Sequence, residues 1–236
     1  VDGEWFDRGG ISILFYAVGA CKEKTVESLL RELDSDSLSE DERTRRLVSM
    51  IPSRGFVEAG ITGNTNSLIV AMSLGTPKIV SMLLDRGFDP MLPDIAGNHP
   101  FLYACICNRV DNVKHWLKQF PNWNLEARNN LVGGVALGIT IFMGPNRLNL
   151  TRLLLQSGAK VNTLTYTGGS PLTAACENED ADPQVIQLLL NYGANVKYRV
   201  RSMSLKWRLI RQIAKTATRV LRTSNALLKH LAKESG

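Results

Sequence analysis

The residues that could do chemistry are few and scattered. Cys21, Cys105, Cys107 and Cys176 supply the thiols, and His99, His115 and His230 the imidazoles, from which a metal site or an activated nucleophile would be built. Cys105 and Cys107 stand one residue apart, which is not the spacing of a zinc ligand pair, and the histidines are dispersed along the chain. The glycine pairs at Gly133-Gly134 and Gly168-Gly169 could cradle a phosphate, yet neither follows a strand pattern or matches a phosphate-loop fingerprint. With no nucleophile-base pair and no ligand cluster, a non-catalytic chain without metal or cofactor is expected. The cysteines are then expected to be buried, reduced packing residues, which favours an intracellular setting, cytoplasmic or nuclear.

What repeats along the chain is a structural unit. "MLLDRG" from Met82, "LLLQSG" from Leu153 and "LLLNYG" from Leu188 each end in a glycine three residues after a double leucine. Before Gly87, the apolar residues Ile79, Val80, Met82, Leu83 and Leu84 form a stripe wide enough for one buried helix face. The glycine can take the left-handed conformation that ends a helix without the steric cost of a Cβ. These stops fall at Gly87, Phe120, Gly158 and Gly193, with separations of 33, 38 and 35 residues. Phe120 lacks the glycine, and a distorted helix end is expected there. A second helix starts before each stop, at Asn66, His99, Val135 and Ser170, again at a near-constant spacing of 33, 36 and 35 residues. Asn66 and Ser170 suit an N-cap, Pro100 and Pro171 suit the first helical turn, and Ala71, Ala104, Ala174 and Ala175 allow close helix approach. A nearly fixed period of this length marks stacked two-helix units.

With "GGSPLTAAC" followed by "VIQLLLNYGANV", and with "DIAGNHPFLYAC", the chain resembles the ankyrin repeat family, whose units read roughly D-x-x-G-x-T-P-L-H-x-A-A and then V-V-x-x-L-L-x-x-G-A-x-V-N. A weaker first copy runs from Gly9 through Val18 and on to Val26, Leu29 and Leu30, making five repeats between Gly9 and about Val196. The family's histidine is replaced by Phe15, Ile69, Leu102, Gly138 and Thr173. The resemblance implies an all-α ankyrin-repeat solenoid with short hairpin loops, acting as a protein-protein interaction scaffold. It also implies that hairpin tips and first helices line a concave surface where exposed side chains meet a protein partner. Carried over by position, these are Ile95, Ala96, Asn98, Leu131, Val132, Tyr166 and Thr167 on hairpins, and Ile106, Cys107, Phe142, Met143, Glu177 and Asn178 on first helices.

Two segments interrupt the pattern. Between the first and second repeats lies an insertion at about 34–62, where the box Ser39-x-x-Glu42 starts a short amphipathic helix carrying Leu47, Val48 and Ile51. The residues from Lys197 to Gly236 hold eleven Lys and Arg against the single Glu234, while the remainder of the chain is slightly acidic, so the overall charge of +6 conceals an asymmetry. Trp207, Ile210, Ala214, Ala217, Leu221, Ser224, Leu228 and Leu231 recur at helical steps, with Arg208, Arg211, Lys215, Arg219 and Arg222 on the basic faces. A basic helical extension over 197–236 is expected, separate from the repeats at 1–196. As a cap it would cover the last repeat; it could also be an insertion before a further repeat. As a free helix it would suit calmodulin or an anionic membrane surface, with nucleic acid less suited because aromatic residues are sparse.

No apolar run approaches the ~18 residues of a membrane-spanning helix, although 44% of the chain is hydrophobic. No secretory leader pattern opens the sequence, and Val1 in place of Met suggests a processed or excerpted chain, so an accessory module of a larger enzyme or channel is the rival to a free-standing, monomeric scaffold.

Overall fold

The computed structural model describes residues 5, 12–34, 38–47, 66–143, 146–177, 182–197, 199–200 and 203–204. It divides into two compact units, Val1–Phe120 and Pro121–Gly236, parting where the glycine stop is missing.

In the first unit, helices α1 (Ile13–Gly19) and α2 (Glu23–Leu33) form the first pair. The inserted helix α3 (Glu40–Leu47) follows, then the pairs α4 (Ser67–Ser73) with α5 (Pro77–Leu84) and α6 (Pro100–Ile106) with α7 (Val110–Gln119). The second unit holds α8 (Ala136–Phe142) with α9 (Leu148–Gln156), and α10 (Pro171–Glu177) with α11 (Pro183–Asn191). Helices pack in two layers within each unit: α1, α4 and α6 on one side and α2, α5 and α7 on the other, then α8 with α10 and α9 with α11. None of these helices exceeds eleven residues, too short to be stable alone in water, so each depends on its neighbours to cover its apolar stripe. The double leucines perform that role through their first member or both: Leu83, Leu154 and Leu189 have no exposed surface, and Leu155 and Leu190 very little. Ala71 and Ala104 are fully buried at the helix contacts, as their size allows.

Five helix ends share one geometry. Cys21, Gly87, Asn108, Gly158 and Gly193 all have positive φ, between 54° and 93°. In each case the next residue donates its N–H to the carbonyl five positions back: Lys22 to Ala17, Phe88 to Leu83, Arg109 to Ala104, Ala159 to Leu154 and Ala194 to Leu189, at 2.8 to 3.3 Å. This is the hydrogen bond that satisfies an otherwise orphaned helix carbonyl and turns the chain back. Helix α7 differs as its sequence predicts. Phe120 closes it at φ −121° with a single bond to the Trp116 carbonyl, and the Phe120 ring packs 4.9 Å from the Trp116 ring. At the starts, Ser12, Asn66, Thr76, Ser170 and Asp182 accept backbone N–H groups on their side-chain oxygens.

Polar side chains join one pair to the next. Arg86 donates to the Leu30 carbonyl and pairs with Asp34 at 2.9 Å, and Thr76 donates to Glu23. The buried Asn112 amide reaches the carbonyls of Ala71, Met72 and Gly75, which ends α4 from the neighbouring pair, with Arg109 helping at Leu74 and Gly75. In the second unit Glu126 accepts from Lys160 N–H and the Thr163 hydroxyl, and Asn162 bonds Gly193 and Asn195.

The insertion begins its helix with the expected cap, Glu42 N–H donating to Ser39 Oγ, and Arg46 lies 4.8 Å over the ring of the buried Trp5. That cation-π contact leans α3 on the first pair, where Trp5 also donates to Glu32. Val48 and Ile51 lie outside the described residues.

Two expectations need correction. Residues following Lys197 do not begin as helix: Arg199–Val200 (β1) and Met203–Ser204 (β2) pair antiparallel as a short ladder, ahead of the helical sequence pattern that starts at Trp207. Trp207, Arg208, Arg211, Lys215, Arg219 and Arg222 lie outside the described residues. None of the four cysteines is in a disulfide among the described residues, but only Cys105 and Cys176 are buried. Cys21 is exposed because it occupies a left-handed helix-end position, and Cys107 is half-buried as the residue that closes α6.

The same substitution should therefore act with opposite sign at two glycines. Gly158→Ala forces a Cβ into the left-handed region and should cost about 1–2 kcal/mol. Gly138→Ala sits inside α8, where a Cβ meets nothing within 4 Å, and should stabilise by about 0.5–1 kcal/mol. Denaturant unfolding of the two variants checks both signs.

Candidate functional site

The loops between pairs fold as tight tips, each organised by its first residue. Asp94, Asn129 and Thr165 bond through backbone N–H to the carbonyls of Asn98, Gly134 and Gly169. Their side chains then accept the tip's own amides: Asp94 from Ala96 and Asn98, Asn129 from Val132 and Gly134, Thr165 from Gly169. Gly97, Gly133 and Gly168 supply the positive φ that such a turn requires. Asx-type bonding of this kind leaves the residues at the apex with little to do inside the fold, and they project outward.

In the first unit this exposes Ile95, at 61%, but the sequence expectation fails for two of its neighbours. Asn98 is only 7% exposed, because its side-chain amide donates to Asp94 Oδ2 at 3.2 Å while the Tyr103 hydroxyl donates to the same oxygen at 2.6 Å. A buried carboxylate collects donors, and Asn98 is one of them. Ala96 is buried beside it. Ile106 is half-buried against the cluster of Ile69 and Tyr103. These three belong to the fold.

The second unit is where the predicted exposed residues come together. Leu131 is 70% exposed, Phe142 67% and Tyr166 63%, with Val132 and Met143 also outward and Thr167 and Glu177 exposed beside them. Asn178 lies outside the described residues. Tyr166 is exposed yet held from several sides. Its N–H donates to the Val132 carbonyl at 2.9 Å, and its ring lies so close to Gly133 that a Cβ there would stand 2.6 Å from two ring carbons. Arg128 lies with its guanidinium carbon 5.9 Å from the ring centroid while donating to the carbonyls of Gly133 and Leu164 at 2.7 and 2.6 Å. The tip of one repeat thus fixes the aromatic side chain of the next. Sequence reading missed Arg128, whose position outside the repeat motif gave no signal.

His99, at the start of α6, is buried with its ring 6.3 Å from that of Phe101. Burial desolvates the imidazolium and pushes its pKa down to about 4, so the ring is neutral at physiological pH and is no general base in an open site.

A helical repeat protein with ordered tips and an outward apolar face is the class that this geometry defines. The family model "Ankyrin repeat" matches residues 167–200. A Rickettsia bellii (strain RML369-C) protein carrying the ankyrin-repeat name is 25% identical over 154 residues, 64% of this chain and 45% of that protein. The B-cell lymphoma 3 protein homolog of Mus musculus is 30% identical over 139 residues, 58% of this chain and 30% of the mouse protein. The chain thus spans less than half the length of these curated relatives. The crystal structure of the ankyrin repeat domain of Bcl-3, described as a unique member of the IkappaB protein family, superposes with a TM-score of 0.64 at 23% identity, covering 88% of this chain and 87% of that one. That likeness shows the fold to be that of an ankyrin-repeat domain.

Neutral burial of His99 has a consequence for stability. The unfolded chain takes up a proton near pH 6.5, and the folded ring does so only near pH 4, so stability is complete above the first value and falls as pH drops through that window. The loss should be on the order of 3 kcal/mol. Denaturant midpoints measured across this range should show the slope in the native chain, and a His99→Asn variant should lack that part of it.

Proposed function

We propose that this chain is a non-catalytic module that binds a protein partner over the outward face of its hairpin tips and first helices, with Leu131, Val132, Tyr166 and Phe142 as anchors. The observation that carries the reading is the state of Tyr166, an aromatic side chain largely exposed to water but fixed by a backbone hydrogen bond, a glycine floor and an arginine. Side chains that must be ordered on binding lose rotamer freedom then, whereas one already fixed avoids most of that cost. Tyrosine in such a state is the residue type that dominates protein interfaces, because it adds large apolar area and a polar tip with only two torsions. The exposure of Leu131, Val132, Phe142 and Met143 in the same unit supports the same reading.

A partner captured on the intact chain provides the test. Tyr166→Ala and Phe142→Ala should each weaken its binding by about 1–3 kcal/mol while leaving the melting temperature nearly unchanged. If both variants melt early and bind in proportion to their folded fraction, these residues are structural and the face is not the interface.

A further inference from the structure

Between α8 and α10, beneath the tips at Gly133 and Thr165, lies a cavity of about 200 Å³ that is partly open to solvent and lined mainly by apolar groups. It arises from two small residues at matching positions of neighbouring first helices. Gly138 contributes no side chain, and a Cβ built there would meet nothing within 4 Å. Thr173 on α10 has its hydroxyl 3.0 Å from Ser170 Oγ, so it is engaged within the fold. Val132, Ile139 and Phe142 form much of the remaining wall, and Glu177 stands at the rim.

We propose that this cavity receives one apolar side chain from an extended segment of the partner, and that the residues next to it in that segment are basic. The proposal rests on the reading of this face as a protein-binding surface and specifies what it binds. An apolar occupant follows from the wall: Thr165 Oγ1 is taken by Gly169 N–H and lies 3.1 Å from the Thr167 hydroxyl, so the threonine and serine groups lining the space are bonded to the protein. The size agrees, since an engineered apolar cavity of about 150 Å³ stays dry and takes up benzene. The basic flank follows from charge. No Lys or Arg is among the lining residues, and the one carboxylate among them, Glu177, is exposed at the end of α10. The carbonyl end of α10 adds partial negative charge on the same side. A side chain followed by Lys or Arg would fill the cavity and meet this rim; one followed by Asp or Glu would be repelled.

Random dodecapeptides displayed on phage, selected on the intact chain, test this without a known partner. Enriched sequences should share a Leu, Ile, Met or Phe with Lys or Arg within two positions. A synthetic peptide carrying that sequence should bind Gly138→Leu, whose side chain fills the cavity, at least about tenfold more weakly. Circular dichroism and melting confirm that the variant is folded. Glu177→Gln, a surface change that leaves the cavity intact, should weaken the same peptide severalfold and reduce the dependence of its binding on salt. Equal affinity for Gly138→Leu, or enriched peptides lacking the apolar-basic pair, overturns the proposal, as does the absence of any enrichment. If Tyr166→Ala weakens the peptide and Gly138→Leu does not, the cavity is excluded while the face remains the interface. If neither changes it, both readings fall.

Discussion

The left-handed residue that closes five of the helices is the constraint on which the rest depends. At five helix ends the same two features occur together, a positive φ and a hydrogen bond from the following N–H to the carbonyl five residues earlier. That bond fixes where a short helix stops and in which direction the chain leaves. Helices of seven to eleven residues have no stability of their own to spare, so their length and exit angle must bring each apolar stripe against the next one. The near-constant spacing of the glycines along the sequence is the record of that requirement. At α7, where Phe120 replaces the glycine, an aromatic contact with Trp116 takes over the closing role, and the chain divides into its two compact units at that point.

Once pairs are defined in this way, polar groups connect them. Asn112 and Arg109 satisfy the carbonyls at the end of α4, which lacks a left-handed cap of its own, and so a helix end in one pair is completed by side chains of the next. Glu126 and Asn162 link the loops of the second unit by accepting the backbone N–H groups of Lys160 and Asn195. Bonds of this kind are worth little individually, but leaving those buried carbonyls unmet would cost more than the bonds themselves contribute. The consequence for function is rigidity at the tips. Arg128 and Gly133, which belong to one tip, position Tyr166 in the following one.

The periodic parts of this structure were legible from sequence. Helix pairs, glycine stops, serine and asparagine caps and the irregular end at Phe120 all follow from local rules that one residue type satisfies best. Exposure at the tips was legible only in part. Ile95, Tyr166 and Phe142 project as their positions imply, whereas Asn98 is drawn inward by Asp94 and Tyr103, a contact that links residues nine positions apart through a buried carboxylate. Nothing in the spacing of those residues announces that bond. The cavity beside Gly138 was equally hidden, because it depends on two small residues in successive repeats being adjacent in space. The ladder at Arg199–Val200 and Met203–Ser204 was obscured by the strong helical pattern that follows it.

Amide hydrogen exchange resolved to single residues measures the closing hydrogen bonds most directly. The N–H groups of Lys22, Phe88, Arg109, Ala159 and Ala194, each just outside a helix, should exchange as slowly as amides within the helices they close. Exchange at the rate of open loops, alongside protected helix interiors, would contradict the claim that these caps set the length and direction of the repeat.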